Sequence, residues 1–165
     1  MLYAYWSANE YTVTFDNRGG SGASSVTVEY GSSLPYVSKP AKTGYTFLGY
    51  YDAVTGGAQY YNADMSSMLT WSRTEGITLY AQWSANEYAV SFSANGGSGT
   101  QDSVLATYGE AMPAITVAPT RTGYIFLGYY DAASGGVKYY NADLTSAAVW
   151  SNASDKTPFR CRRLH

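Results

Sequence analysis

Cysteine is almost missing from this chain, and histidine is equally scarce. The single Cys161 and the single His165 both sit in the last few residues. The body therefore has no disulfide framework and no thiolate metal site. It also offers no Ser-His-Asp or Cys-His pair for nucleophilic catalysis. No run of roughly 18 apolar residues occurs, which argues against a membrane-inserted helix. The opening "MLYAYWSANE" lacks the basic region and apolar core of a signal peptide. Charge is sparse too, at 13% of residues. Residues 1–157 carry 12 acidic and 7 basic side chains, a balance of −5, whereas "PFRCRRLH" (158–165) adds three Arg and no acid. A mildly acidic body without a basic stripe argues against a nucleic-acid partner.

Aromatics and glycine are abundant instead. The chain is 45% hydrophobic with 18 Tyr and 17 Gly, too apolar and aromatic for a disordered polymer. It is also internally repeated. "LYAYWSANEY" (Leu2–Tyr11) returns as "LYAQWSANEY" (Leu79–Tyr88), matching at nine of ten positions with an offset of 77. "YTVTFDNRGGSG" (Tyr11–Gly22) returns as "YAVSFSANGGSG" (Tyr88–Gly99). Lys42–Ser72 returns as Arg121–Ser151, identical at 20 of 31 positions. The offset there is 79, so the second copy gains two residues between Gly99 and Thr122, where a loop tolerates insertion.

The period within each copy is two. Tyr11, Val13 and Phe15 alternate with threonines, and Tyr88, Val90 and Phe92 repeat the scheme. Val26, Val28 and Tyr30 follow the same rule, as do Tyr45, Phe47, Gly49 and Tyr51, and then Ile77, Leu79, Ala81 and Trp83. β-Branched and aromatic residues at this period, bounded by Gly and Pro, predict half-buried strands. "DNRGGSG" and "DAVTGG" supply turns between them. In "NADMSSMLTWS", Asp64 can cap a short helix whose Met65, Met68 and Leu69 fall at helical spacing, with Leu144, Ala147 and Ala148 in the second copy. Tyr45, Phe47, Tyr124 and Phe126 are expected in the two cores. The chain thus reads as mainly β (α+β), with about four strands and at most one short helix per module. Residues 9–83 form the first module and 84–157 the second, joined by a Ser84–Glu87 linker.

The order "YTVTFDNRGG", "VEYGSSLP", "PAKTGYTFLGYYDAVTGG" and "LYAQW" resembles the Listeria–Bacteroides repeat, the internalin B-type B-repeat. The "GY-x-F-x-GYY…GG" motif and "LYAQW" carry the resemblance over residues 9–83 and most of 86–151. It implies small β-grasp-like (ubiquitin-like) modules in tandem on a bacterial cell-surface or secreted protein, often beside leucine-rich repeats. That is an extracellular, non-catalytic role as spacer or adhesive module. Tyr50 and Tyr129 stand where the family usually has Trp. The second copy lacks its "LYAQW".

Candidate chemistry is thin. "GGSG" at Gly19–Gly22 and Gly96–Gly99 has no Lys of a phosphate-binding loop and reads as a hairpin. Asp52, Asp64, Asp131 and Asp143 could ligate calcium weakly, but no D-x-D-x-D-G loop exists and turn or cap duty is favoured. No metal, cofactor or catalytic residue is therefore assigned. The binding candidates are the tyrosine pairs Tyr50 and Tyr51, Tyr60 and Tyr61, Tyr129 and Tyr130, and Tyr139 and Tyr140. Neighbours on a strand face opposite ways, so one Tyr of each pair is expected to be exposed. An exposed set could stack on a cell-wall or host glycan or anchor a host protein. The alternative is cross-strand packing.

The ends of the chain raise a separate expectation. Leu2–Trp6 reads as the closing strand of a preceding repeat, leaving residues 1–8 outside the first module. In the atypical tail, Pro158 falls where Leu79 stands, and Arg160 and Arg162 fall at the positions of Ala81 and Trp83. A missing ladder donor and two inward charges make that tail a poor strand. Either Leu2–Trp6 of another molecule completes the second module, a strand-mediated self-association, or the N-terminus frays and a sheet edge stays open.

Overall fold

Alternating strands interrupted by glycine turns build two compact units, Met1–Ser84 and Ala85–His165. The computed structural model of the chain describes residues 1–154. The tail residues Pro158, Arg160, Cys161, Arg162 and His165 lie outside the described residues.

The first unit contains β1 (Glu10–Asp16), β2 (Ser25–Glu29), β3 (Tyr45–Tyr51), β4 (Gln59–Asn62) and β5 (Ile77–Ala85). They form one five-stranded sheet in the order β2-β1-β5-β3-β4. β1 pairs antiparallel with β2, placing Val13 opposite Val26, and parallel with β5, placing Phe15 opposite Leu79. The last strand in sequence is thus the middle strand in space. Its inward residues Leu79 and Ala81 are 0% and 2% exposed. Around them pack Val13, Phe15, Val28, Phe47, Tyr50, Tyr61 and Trp71. At roughly 1.5–3 kcal/mol per buried large side chain, this cluster is the main stabilising element of a module of this size.

The β1–β2 connection turns at Asn17–Gly20, where the Gly20 N–H donates to the Asn17 carbonyl at 2.9 Å. Arg18 and Gly19 take φ of 52° and 82°, the paired positive values of a tight hairpin turn. Gly49, inside the GYY motif, has φ 145° and pairs with Asn62, just before the register shift between Tyr50 and Tyr51 in the β3–β4 ladder. A side chain there would collide with the Tyr61 carbonyl oxygen, so the motif requires glycine.

The second unit repeats the plan with β6 (Glu87–Val90), β7 (Val104–Thr107), β8 (Gly128–Tyr130) and β9 (Lys138–Asn141). Here they form two separate two-stranded sheets, β6-β7 and β8-β9. Val90 pairs with Val104 as Val13 pairs with Val26, and Tyr129 pairs with Tyr140 as Tyr50 pairs with Tyr61. These registers locate the two inserted residues. One enters between Gly99 and Val104. The other enters between Pro113, which accepts from the Tyr140 hydroxyl as Pro35 does from Tyr61, and Thr120, which bridges Ser98 as Ala41 bridges Ser21.

The mainly β architecture is as expected, with five strands in the first unit and four among the described residues of the second. Other expectations are corrected. No helix forms at Asp64–Ser72 or its counterpart. Met65 and Leu144 adopt φ of 69° and 68°, outside the helical region, and Asp64 closes a turn on Ser66 rather than capping a helix. Met65 is consequently buried while Met68 is half exposed. At the junction of the two units β5 runs to Ala85 and β6 starts at Glu87. Of the expected core residues, Phe47 is buried, Phe126 and Tyr45 are half-buried, and Tyr124 is 65% exposed. The reason for Tyr124 is that residues 124–127 form no strand in the second unit. Leu2–Trp6 likewise forms no strand.

Candidate binding groove and tyrosine face

The paired tyrosines are mostly interior. Tyr50, Tyr60, Tyr61, Tyr129, Tyr139 and Tyr140 are all buried, Tyr51 is half-buried, and Tyr130 is 41% exposed. One-in, one-out alternation therefore holds at Tyr129–Tyr130 but fails at Tyr60–Tyr61 and Tyr139–Tyr140. The cause is the segment after β4, which folds back over it: the Met68 N–H donates to the Tyr60 carbonyl at 2.9 Å, and Tyr61 bridges Ser67. Tyr60 then meets Trp71, with ring centroids 6.3 Å apart, while Tyr61 meets Tyr50 edge-on at 6.1 Å. The second unit repeats both contacts, Tyr139 with Trp150 and Tyr129 with Tyr140. Aromatic pairs at such separations add about 0.5–1.5 kcal/mol each beyond area burial.

The phenols are anchored. Tyr61 and Tyr140 donate to Pro35 and Pro113 carbonyls, both at 2.7 Å. Tyr50 donates to the Asn17 side chain. In the second unit Ala94 stands at the position equivalent to Asn17, and Tyr129 donates to the Val117 carbonyl at 3.5 Å with a backbone hydrogen bond at Gln101. Burial pushes Tyr50 and Tyr140 up to about 12, and Tyr61 likewise, with a smaller contribution from Tyr50. Burial raises Tyr129 as well.

The recurring carboxylates serve turns. Asp52 accepts from the Ala58 N–H at 2.7 Å, and Asp131 from Val137 at 2.8 Å. Asp64 accepts from the Ser66 hydroxyl and N–H, and Asp143 from the Thr145 hydroxyl and N–H; these bonds hold both carboxyls below the usual range. Among the described residues, no three His, Cys, Asp or Glu side chains converge on a common point.

A groove of about 730 Å³ lies in the second unit, between the chain following β6 and the chain preceding β8. Phe92, Ala94, Arg121, Tyr124, Phe126 and Leu127 line it. Phe92 and Phe126 are half-buried, although their first-unit counterparts Phe15 and Phe47 are 6% and 2% exposed. The groove lies in the second module, where the repeat lacks its "LYAQW" and the sequence leads to the expectation of an unfilled strand slot.

The sequence profile of the Listeria–Bacteroides repeat domain matches residues 11–82 and again 88–152. The chain belongs to the Listeria–Bacteroides repeat family. Its two copies align with the two compact units. Among similar proteins, two from Evansella cellulosilytica carry "membrane protein" in their names, one of them also "Gly-rich". They are 40% identical over 130 and 131 residues, which is 78% and 79% of this chain but 18% and 14% of their own length. Internalin H of Listeria monocytogenes is 40% identical over 129 residues, 78% of this chain and 22% of that protein. The chain thus spans less than a quarter of each of these relatives. Among the described residues, no helix is long and apolar enough to cross a membrane.

Proposed function

We propose that this pair of repeats serves as a non-catalytic spacer within a bacterial cell-surface or secreted protein. The observation that supports this reading most is the use of the tyrosines. Six of the eight paired residues are consumed by the two cores, at equivalent positions and with equivalent partners. Side chains repeated for packing hold homologous units in shape, and tandem homologous units extend reach. The recurring carboxylates Asp52, Asp64, Asp131 and Asp143 are committed to turns in both copies. The names of the relatives, an internalin and two membrane proteins, suit a surface location.

A ligand-binding role for the same family is the rival, with a cell-wall or host glycan or a host protein as partner. Tyr51 and Tyr130 are the paired tyrosines left accessible to such a ligand, and Lys138 lies 5.4 Å over the Tyr130 ring. A glycan array and host-protein pull-down with wild type, Tyr51→Ser and Tyr130→Ser discriminate the two. The spacer reading expects no saturable binding by wild type. Saturable binding that either substitution abolishes overturns it.

A further inference from the structure

We propose that the groove of the second unit is a strand-acceptor site whose occupant is Leu2–Trp6 of a second copy of this chain. This inference is independent of the spacer reading.

The first unit shows what an occupied groove looks like. There β5 lies between β1 and β3, with its residues Leu79–Trp83 reading "LYAQW". The counterparts of β1 and β3 in the second unit are β6 and β8, which sit in different sheets with the groove between them. Leu2–Trp6 reads "LYAYW", the same as Leu79–Trp83 at four of five positions. The donor segment is unused within its own chain: Leu2, Tyr3, Tyr5 and Trp6 are 84–100% exposed. The acceptor is equally uncovered, with Tyr124, Ile125 and Leu127 at 65%, 88% and 67%. Each copy of this chain therefore carries one exposed apolar segment and one apolar groove that matches it.

The match extends to individual contacts. Trp83 packs its ring edge-on against Phe47 at 5.3 Å, and its indole N–H donates to the Asn17 carbonyl at 3.1 Å, with Lys42 Nζ 6.0 Å from the ring. Phe126, Ala94 and Arg121 stand at the equivalent places and all line the groove. Trp6 would meet the same three kinds of group. The parallel register of Phe15 with Leu79 and Asp16 with Tyr80 carries over as Phe92 with Leu2 and Ser93 with Tyr3. Leu2 and Ala4 then point inward, as Leu79 and Ala81 do. Backbone pairing supplies affinity in such strand addition, and alternate side-chain pockets supply register. One contact is not reproduced: the Gln82 amide donates to the Ala53 and Gly56 carbonyls, and Tyr5 replaces it. Because each copy bears both donor and acceptor, reciprocal exchange gives a closed dimer and head-to-tail exchange gives longer assemblies.

Light scattering after size exclusion, across a concentration series, tests the proposal on four chains: wild type, a deletion of residues 1–8, a deletion of residues 155–165, and Ala4→Arg. Wild type is expected to reach at least twice the monomer mass as concentration rises. The 155–165 deletion should behave like wild type, while the 1–8 deletion and Ala4→Arg stay monomeric. A synthetic peptide of residues 1–10 should bind the 1–8 deletion saturably by tryptophan fluorescence, and the Ala4→Arg peptide at least about tenfold more weakly, since it places a charge at a buried position. Wild type that is monomeric at high concentration, association that survives loss of residues 1–8, or association that requires residues 155–165 overturns it.

Discussion

Phe47 and Phe126 occupy the same place in two copies of one motif, yet their burial differs, and that difference can be measured. Phe47 is 2% exposed, with Tyr50 and Trp83 rings at 5.1 and 5.3 Å. Phe126 is half-buried and touches the Tyr129 ring at 5.1 Å on one side, with the groove on the other. Truncating a fully enclosed Phe to Ala costs roughly 3–5 kcal/mol, through lost transfer energy and the cavity left behind. At Phe126 the ring is already partly in water and leaves no closed cavity. Area bookkeeping at about 25 cal/mol per Å² then gives about 1–2 kcal/mol. With about 1.4 kcal/mol per tenfold, Phe47→Ala should raise the opening equilibrium of its unit by roughly two to four decades. Phe126→Ala should raise it about five- to thirtyfold.

Hydrogen exchange read by mass spectrometry separates the two units, with peptides from β1 reporting the first and peptides from β6 the second. The chain lacking residues 1–8 is the right background, since it leaves no donor segment to fill the groove. Phe47→Ala should strip protection from β1 while β6 is nearly unchanged, and Phe126→Ala should do the reverse, more mildly. Equal losses for the two variants, within about 0.5 kcal/mol, would refute the reasoning, because Phe126 would then be as enclosed as Phe47.

Gly49→Ala and Gly128→Ala should each destabilise their unit by more than about 1 kcal/mol, because both positions hold positive φ and a side chain would strike the Tyr61 or Tyr140 carbonyl; a melting temperature equal to wild type for either variant would exclude the collision. In alkali, Tyr50, Tyr61 and Tyr140 titrate near 12 when folded and near 10.0 when unfolded. The unfolded state loses its protons first, so the stability linked to these phenols is complete below pH 10 and is lost as pH rises towards 12. Tyrosinate absorbance should lag in the native chain and appear with unfolding, and smooth titration of all tyrosines at their ordinary value would contradict the burial.

The strands were legible because their pattern is local: Val13 and Phe15 alternate with Thr12, Thr14 and Asp16, and both are buried where period two places them. The helix at Asp64 was misread because spacing alone does not specify backbone conformation. Met65 and Met68 fit a helical face, but the Asp64 carboxylate captures Ser66, and positive φ at Met65 breaks any helical run. The tyrosine faces were misread for another reason. Alternation exposes one side of a strand only if nothing covers it, and the chain after β4 returns to cover it. That return is a matter of tertiary path, which residue order at Tyr60–Tyr61 does not encode.

The groove makes the same point more sharply. "GYTFLGYY" from Gly44 and "GYIFLGYY" from Gly123 differ at one position, yet the first gives a seven-residue strand, Tyr45–Tyr51, and the second a three-residue strand, Gly128–Tyr130. Propensity cannot account for the change, since Ile125 favours a strand at least as well as Thr46. The deciding factor is a partner strand distant in sequence. β3 lies against β5 on one side and β4 on the other, whereas Tyr124–Leu127 has β9 alone to lead towards and no counterpart of β5 among the described residues. A lone two-stranded ribbon is marginal in water, and its unpaired reach frays. Tyr124 is therefore exposed for want of a strand partner like β5 among the described residues, not because of its own neighbours. If a strand of the "LYAYW" type enters the groove, Tyr124–Leu127 should gain the amide protection expected of Tyr45–Leu48 within β3, with no change in its own sequence.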